Sequence, residues 1–321
     1  MKRDHLCKLA MAELSEAGWI TAAWAALRRK RGTERDEGRG LRGTPMTRRP
    51  FRKAWLTGAL FAATCTAPAW AQESLPGGQA SADGWQFSVA PYIWGVMING
   101  DVTIAGAESS VDTGLVEIIE ESDSIFGFLG HFEVMKGNFG AYLDTTYMDV
   151  HVDSDIGVFD VDSDLRVLFM DVGAFYRVGE WPLGAQPSGG DGRRLRLDLT
   201  AGARYTDLKV DLDLSIGALS TSLDNGKNWI DPIVGGRVIA DLTDRLVLDA
   251  RSDIGGFGAG SDFTWNVIAN LGYRFELFGA PAVALGGYRA LYQDFEEGSG
   301  LNKFAWDIWV HGPIIALNVK F

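Results

Sequence analysis

From residue 85 to the end of the chain, apolar and polar side chains alternate with a period of two. Side chains two apart share one face of an extended strand. Amphipathic helices repeat every three or four residues, so the pattern selects strands. Between Arg194 and Thr206, the residues Leu195, Leu197, Leu199, Ala201, Ala203 and Tyr205 share one face, and Arg194, Arg196, Asp198, Thr200, Arg204 and Thr206 share the other. The same alternation runs through Leu246–Ile254 and Trp265–Phe275. About ten such segments are legible, near 85–98, 124–136, 139–151, 165–178, 194–206, 229–241, 246–256, 263–276, 282–293 and 304–321. Each is long enough to cross a bilayer as a tilted strand, which takes roughly 9–11 residues. Eight or twelve strands fit too, because residues 101–117 can form an extra hairpin and 207–214 continue to alternate.

The connections differ in length on the two sides. Lys136-Gly137-Asn138, Asp241–Arg245 and Phe278–Pro281 are tight, whereas 99–123, 152–164, 207–228 and 294–303 are long and rich in Asp, Glu, Ser and Gly. Residues 179–193 and 257–262 break this rule. Short turns at one end and long polar loops at the other are the pattern of a transmembrane barrel. Alternation alone equally describes a soluble β-sandwich. Two further features favour the barrel. Tyr176, Trp181, Tyr273, Phe275 and Phe278 gather near strand ends, where interfacial aromatic girdles sit. The second is an export signal.

Residues 1–71 hold 14 of the 30 Lys and Arg but only 6 of the 42 Asp and Glu, so the remaining 250 residues carry a net charge of −20. After Met46 come a basic run, an apolar run and Ala69-Trp70-Ala71, the order of a cleaved secretory signal. The expected organisation is therefore an upstream artefact or disordered extension over 1–45, a signal peptide over 46–71, a periplasmic linker over 72–84 and a barrel over 85–321. Both cysteines, Cys7 and Cys65, precede the mature chain, so no disulfide framework is expected. The acidic balance excludes a nucleic-acid footprint.

The last strand ends at Phe321, preceded at alternate positions by Val319, Leu317 and Ile315. This ending resembles the assembly signal of Gram-negative outer-membrane β-barrels. The opening Trp85–Gly95 resembles the first strand of poorly characterised small barrels of that kind. The resemblance implies location in the outer membrane, with lipid, lipopolysaccharide and the barrel assembly machinery as partners. It implies no activity. At Gly312-Pro313 a bulge is expected, with Trp306, Ile308 and Val310 outward and Asp307 inward upstream of it.

The fold expected is thus all-β, a closed antiparallel transmembrane barrel. Projecting its strands gives a lumen lined by Glu133, Asp144, Asp171, Arg177, Arg196, Asp198, Arg204, Asp231, Arg237, Asp249, Arg251, Arg274 and Asp307. Arg194, Asp241, Asp253 and Arg289 fall on the same faces. The two signs nearly balance, and a narrow interior makes them pair, since an unpaired desolvated charge is costly. The reading is a non-enzymatic barrel with a largely plugged lumen and acidic outer loops, in a structural or surface-interaction role. A narrow channel for small solutes is the alternative and an outer-membrane hydrolase the third. Asp149, His151 and Asp153 make the best protease-like group, without a supporting motif. Asp153, Asp155, Asp160 and Asp162 have the carboxylate density to hold divalent cations but lack the order of a calcium loop. No cofactor is expected.

Overall fold

The computed structural model describes residues 84–321, except 105, 117, 119–121, 123, 157–158, 185–191 and 217–218, and gives no side-chain surroundings for 153–163, 212–225 and 301. The expected signal peptide and the segments before residue 84 lie outside the described residues.

Twelve strands follow in chain order: β1 (Trp85–Trp94), β2 (Met97–Ile104), β3 (Ala107–Gly114), β4 (Ser124–Lys136), β5 (Phe139–Ile156), β6 (Phe159–Pro182), β7 (Arg194–Ile216), β8 (Leu219–Asp241), β9 (Leu246–Gly256), β10 (Phe263–Leu277), β11 (Ala280–Glu297) and β12 (Phe304–Lys320). Ten of them, β1 and β4 to β12, form the antiparallel barrel, and pairing of β1 with β12 closes it. The other two make the extra hairpin. Strand β2 continues the line of β1 along β12, with His311 opposite Met97 and Phe304 opposite Ile104, and β3 folds back on β2. Between β1 and β2 the chain steps at Gly95, opposite Gly312-Pro313. A Cβ at Gly312 would meet the Gly95 carbonyl at 1.8 Å, and φ there is +152°, so glycine is required.

The tight turns lie at one end. Phe278-Gly279 joins β10 to β11 with φ of 52° and 84°, the left-handed pair of a type I′ hairpin turn. At the other end the chain departs from expectation. The acidic stretches 152–156, 159–164, 207–216 and 219–228 are strand rather than loop: β5 and β6 pair out to Ile156 and Phe159, and β7 and β8 to Ile216 and Leu219. Their Asp, Ser and Thr residues alternate with Val and Leu, a period of two that a strand also carries. Strand β6 has 24 residues, which at ~3.3 Å each and a tilt of ~40° rise about 60 Å. The apolar band of such a barrel is only about 25 Å tall, so the ribbons stand well clear of the bilayer.

The outer surface marks that band. Trp85, Phe139, Tyr176, Tyr273, Phe278 and Phe321 are exposed near the tight-turn end. Phe126, Phe128, Trp265 and Trp309 are exposed further along, with Tyr292 packed 4.9 Å from Trp309. Trp265 and Phe275 on β10 are ten residues apart, about 25 Å along the barrel axis. Between the girdles Leu143, Val172, Leu199, Val234, Ile254 and Ile315 are exposed. They form the lipid-facing belt. Among the described residues no helix is long and apolar enough to cross a membrane.

Candidate functional site

The interior is built in layers. At the level of the lipid belt, arginines reach from one wall to others. Arg204 of β7 is fully buried. It donates from Nε and Nη2 to both oxygens of Asp171 on β6 (2.8 and 2.9 Å), from Nη2 to Asp253 on β9 (2.8 Å), and from Nη1 to Thr264 on β10 (2.9 Å). Arg289 of β11 donates from Nη1 to Asp144 on β5 (2.9 Å) and to the Tyr92 hydroxyl on β1 (3.0 Å). Its Nε reaches Asn266 of β10 (3.2 Å), and its guanidinium lies 4.8 Å from the Trp94 ring centre. Every strand in this layer is antiparallel and in register, so alternate residues must enter the lumen. Glycine makes room: a Cβ at Gly173 would strike the Tyr142 ring at 2.6 Å.

One step towards the tight turns, Arg237 of β8 grips Asp249 of β9 with two bonds (2.9 and 2.6 Å) and crosses to Glu133 of β4 (2.6 Å). His131 lies between Asp144 (3.1 Å) and Glu133 (3.6 Å). Arg251 lies 4.9 Å from the Tyr142 ring centre and 3.8 Å from Asp171. At the inner mouth Arg177 binds Asp198 bidentately (2.8 and 3.2 Å), and Arg196 and Arg274 share Asp241. Such pairs add little net stability over apolar packing, but removing one partner strands a buried charge.

Above the charged layers the interior becomes apolar. Val102, Phe169, Leu208, Leu291, Phe304 and Ile308 belong to one buried cluster with Trp94, Trp229 and Phe295. The Trp229 and Phe295 rings stack at 4.1 Å. Asp231, also expected inside, is fully buried beside this cluster. The turn after β9 satisfies it: the Ser261 N–H and hydroxyl donate at 2.6 and 2.7 Å, and the Trp229 Nε1–H at 3.2 Å.

Asp307 is a correction. It is exposed on the outer face of β12, while its neighbours Ile308 and Val310 are buried inside. The strand passes Gly312-Pro313 without changing sides, so Ile315 and Phe321 lie outward in the same parity as Asp307. The expected swap assumed lipid outside along the whole strand. Beyond the outer girdle the exterior is water, which accepts Asp307 and drives Ile308 inward.

The outer acidic groups are placed as follows. Backbone register sets Asp153 opposite Asp162 and Asp155 opposite Asp160 at the tip of the β5–β6 ribbon; their side chains lie outside the described residues. His151 bonds Asp164 (2.6 Å), and Asp149 pairs with Arg166 (3.4 Å). Among the described residues no three His, Cys, Asp or Glu converge as a metal site.

Projection by alternation missed the neutral partners of the network. Tyr92, Thr264 and Asn266 anchor the arginines, and Gln293 bonds Thr206 (2.8 Å). Their parity was readable in the sequence, but nothing there distinguishes a neutral lumen residue from a neutral outer one. The outer wall holds a further chain of hydrogen bonds, from Tyr288 through His311 and Asn99 to Asp112 (2.6, 2.7 and 2.6 Å). It joins four adjacent strands whose sequence positions are unrelated.

No family model matches the chain, and no curated protein matches its sequence. Among solved structures, the outer-membrane protease OmpT of Escherichia coli is similar over 78% of this chain and 99% of its own, at 12% identity and a TM-score of 0.41. Ail, the attachment invasion locus protein of Yersinia pestis, matches over 74% and 99% at 11% identity with a TM-score of 0.31. Neisserial surface protein A matches over 74% and 100% at 12% identity with a TM-score of 0.27. These likenesses are too remote to transfer a role. The closed barrel, the apolar belt and the two girdles are those of an outer-membrane β-barrel.

Proposed function

We propose that the protein is a non-enzymatic, non-conducting outer-membrane barrel whose working surface is the pair of β-ribbons raised above the bilayer. One observation carries this reading: buried ion pairs link different walls of the lumen, and an apolar cluster lies beyond them. The arginine layer supplies the ion pairs, and the stacked Trp229–Phe295 cluster lies on its ribbon side. A hydrated ion passing them would need both the parting of desolvated ion pairs and the wetting of an apolar layer. The ribbons carry the chain's densest run of aspartates, with Asp164 opposite Asp211 and Asp211 opposite Asp224 in the backbone register. That surface suits cationic partners or divalent bridges to lipopolysaccharide.

The test is conductance of the purified full chain in a planar bilayer, with folding checked by resistance of the barrel to unfolding in unheated detergent. Silence from folded protein is expected. Discrete steps carried by the unaltered chain would overturn the proposal and install the narrow channel in its place.

A further inference from the structure

The tight-turn mouth differs from the layers above it, because its cations outnumber the carboxylates left to neutralise them. Arg274, Val283 and Asn318 form one cross-strand row there, and Lys320 follows Asn318 by two residues with the same inward parity. Arg196 and Arg274 share one carboxylate, Asp241, and Lys320 forms no ion pair among the described residues. The carboxylates next inward, Asp249 and Glu133, are both held by Arg237, and Asp198 is held by Arg177. Glu180 is held by Arg194. Glu276 shares the inward parity of Arg274 but is exposed at the rim.

Two buried polar atoms at this mouth have no hydrogen-bond partner: Arg196 Nε and Asn318 Oδ1. Buried polar groups are almost always satisfied, so orphans in one place mark where water or a ligand belongs. Arg196 is the informative one. Its Nη2 is bound to Asp241 while its Nε–H is left over. A guanidinium offers its donors as a planar fork that fits two oxygens of one oxyanion. Arg274 is about a third exposed and Lys320 is exposed, so the mouth is open to the periplasm.

We infer that this mouth is a binding site for a phosphate-type oxyanion, held by Arg196, Arg274 and Lys320 with the free Arg196 Nε–H as a donor. Asn318 bears its side-chain amide on the strand between β11 and β1, two residues before Lys320, and supplies N–H donors once turned towards the ligand. Two sources carry this chemistry, the free ion and the phosphomonoester of a small headgroup. The site needs no passage through the lumen and is therefore independent of whether the barrel conducts.

The experiment is an arginine Nε–H NMR titration of the full chain in detergent micelles. Inorganic phosphate and glycerol phosphate are added in parallel, with sodium chloride matched for ionic strength. Saturable shifts are expected for Arg196 and Arg274 and none for the sealed Arg204 and Arg289. Lys320→Gln is expected to weaken binding at least threefold while leaving the Arg204 resonance in place, which reports an intact barrel. The tighter of the two phosphates identifies the source. Shifts that chloride reproduces, shifts that never saturate, or an unchanged affinity in Lys320→Gln would overturn the site.

Discussion

Along one strand, β12, the chain faces two different worlds. Near the tight-turn end Ile315 points out and Asn318 has the inward parity; beyond the outer girdle Ile308 and Val310 point in and Asp307 points out. The parity of the backbone is constant, and only the chemistry assigned to each side is exchanged. At bilayer level the exterior is hydrocarbon, so Val172, Leu199 and Ile254 are exposed while Asp171, Arg204 and Asp253 are buried. Above it the exterior is water, and the barrel reverts to an apolar inside and a polar outside. The lower half is held by ion pairs that only one another can satisfy, the upper half by the hydrophobic effect.

The comparison fails most directly if the lower network tolerates loss of its centre. Arg204→Ala leaves Asp171 and Asp253 buried without their shared partner and should cost about 3–5 kcal/mol. The measurement is urea unfolding in micelles followed by tryptophan fluorescence. The upper half makes the opposite demand. Phe295→Ala removes the ring stacked on Trp229 and should cost about 3 kcal/mol through the cavity it leaves, with the Arg204 ion pairs unchanged. Conductance of this variant sharpens the point: if the apolar layer is one of two barriers, Phe295→Ala alone stays silent.

Smaller effects probe the exchange of faces itself. Asp307→Asn on the wet exterior should move stability by no more than about 0.5 kcal/mol. A loss of several kcal/mol in the same unfolding assay would return Asp307 to the lumen. On the neighbouring strand, Asp294 lies directly opposite Asp307. Burial, and then the Asp307, Asp262 and Glu296 carboxylates, raise the Asp294 carboxyl above its ordinary value. A carboxyl raised on folding favours the folded state at low pH, and that contribution is lost as pH rises through the folded value. Asp294→Asn should therefore stabilise the neutral-pH protein by a few tenths of a kcal/mol, as relief of a like-charged cross-strand pair does. The gain should vanish at pH 3.

Much of this architecture was written into the sequence. The period of two fixed strands and their parity, because a side chain two residues on must return to the same face. Tight turns at Gly137 and Gly279 fixed one end of the barrel, since only those hairpin geometries close so short a connection. Parity alone also gathered Asp144, Asp171, Arg204, Arg237 and Arg251 onto inner faces. It could not say that Arg204 serves three other strands, or that Tyr92 and Arg289 meet although 197 residues apart. Those partnerships depend on which walls of the closed cylinder stand opposite one another. Nor could parity tell where the membrane stops. Asp307 and Ile308 obey the same alternation as Asn318 and Ile315, and only their height above the outer girdle decides which of the two is inside.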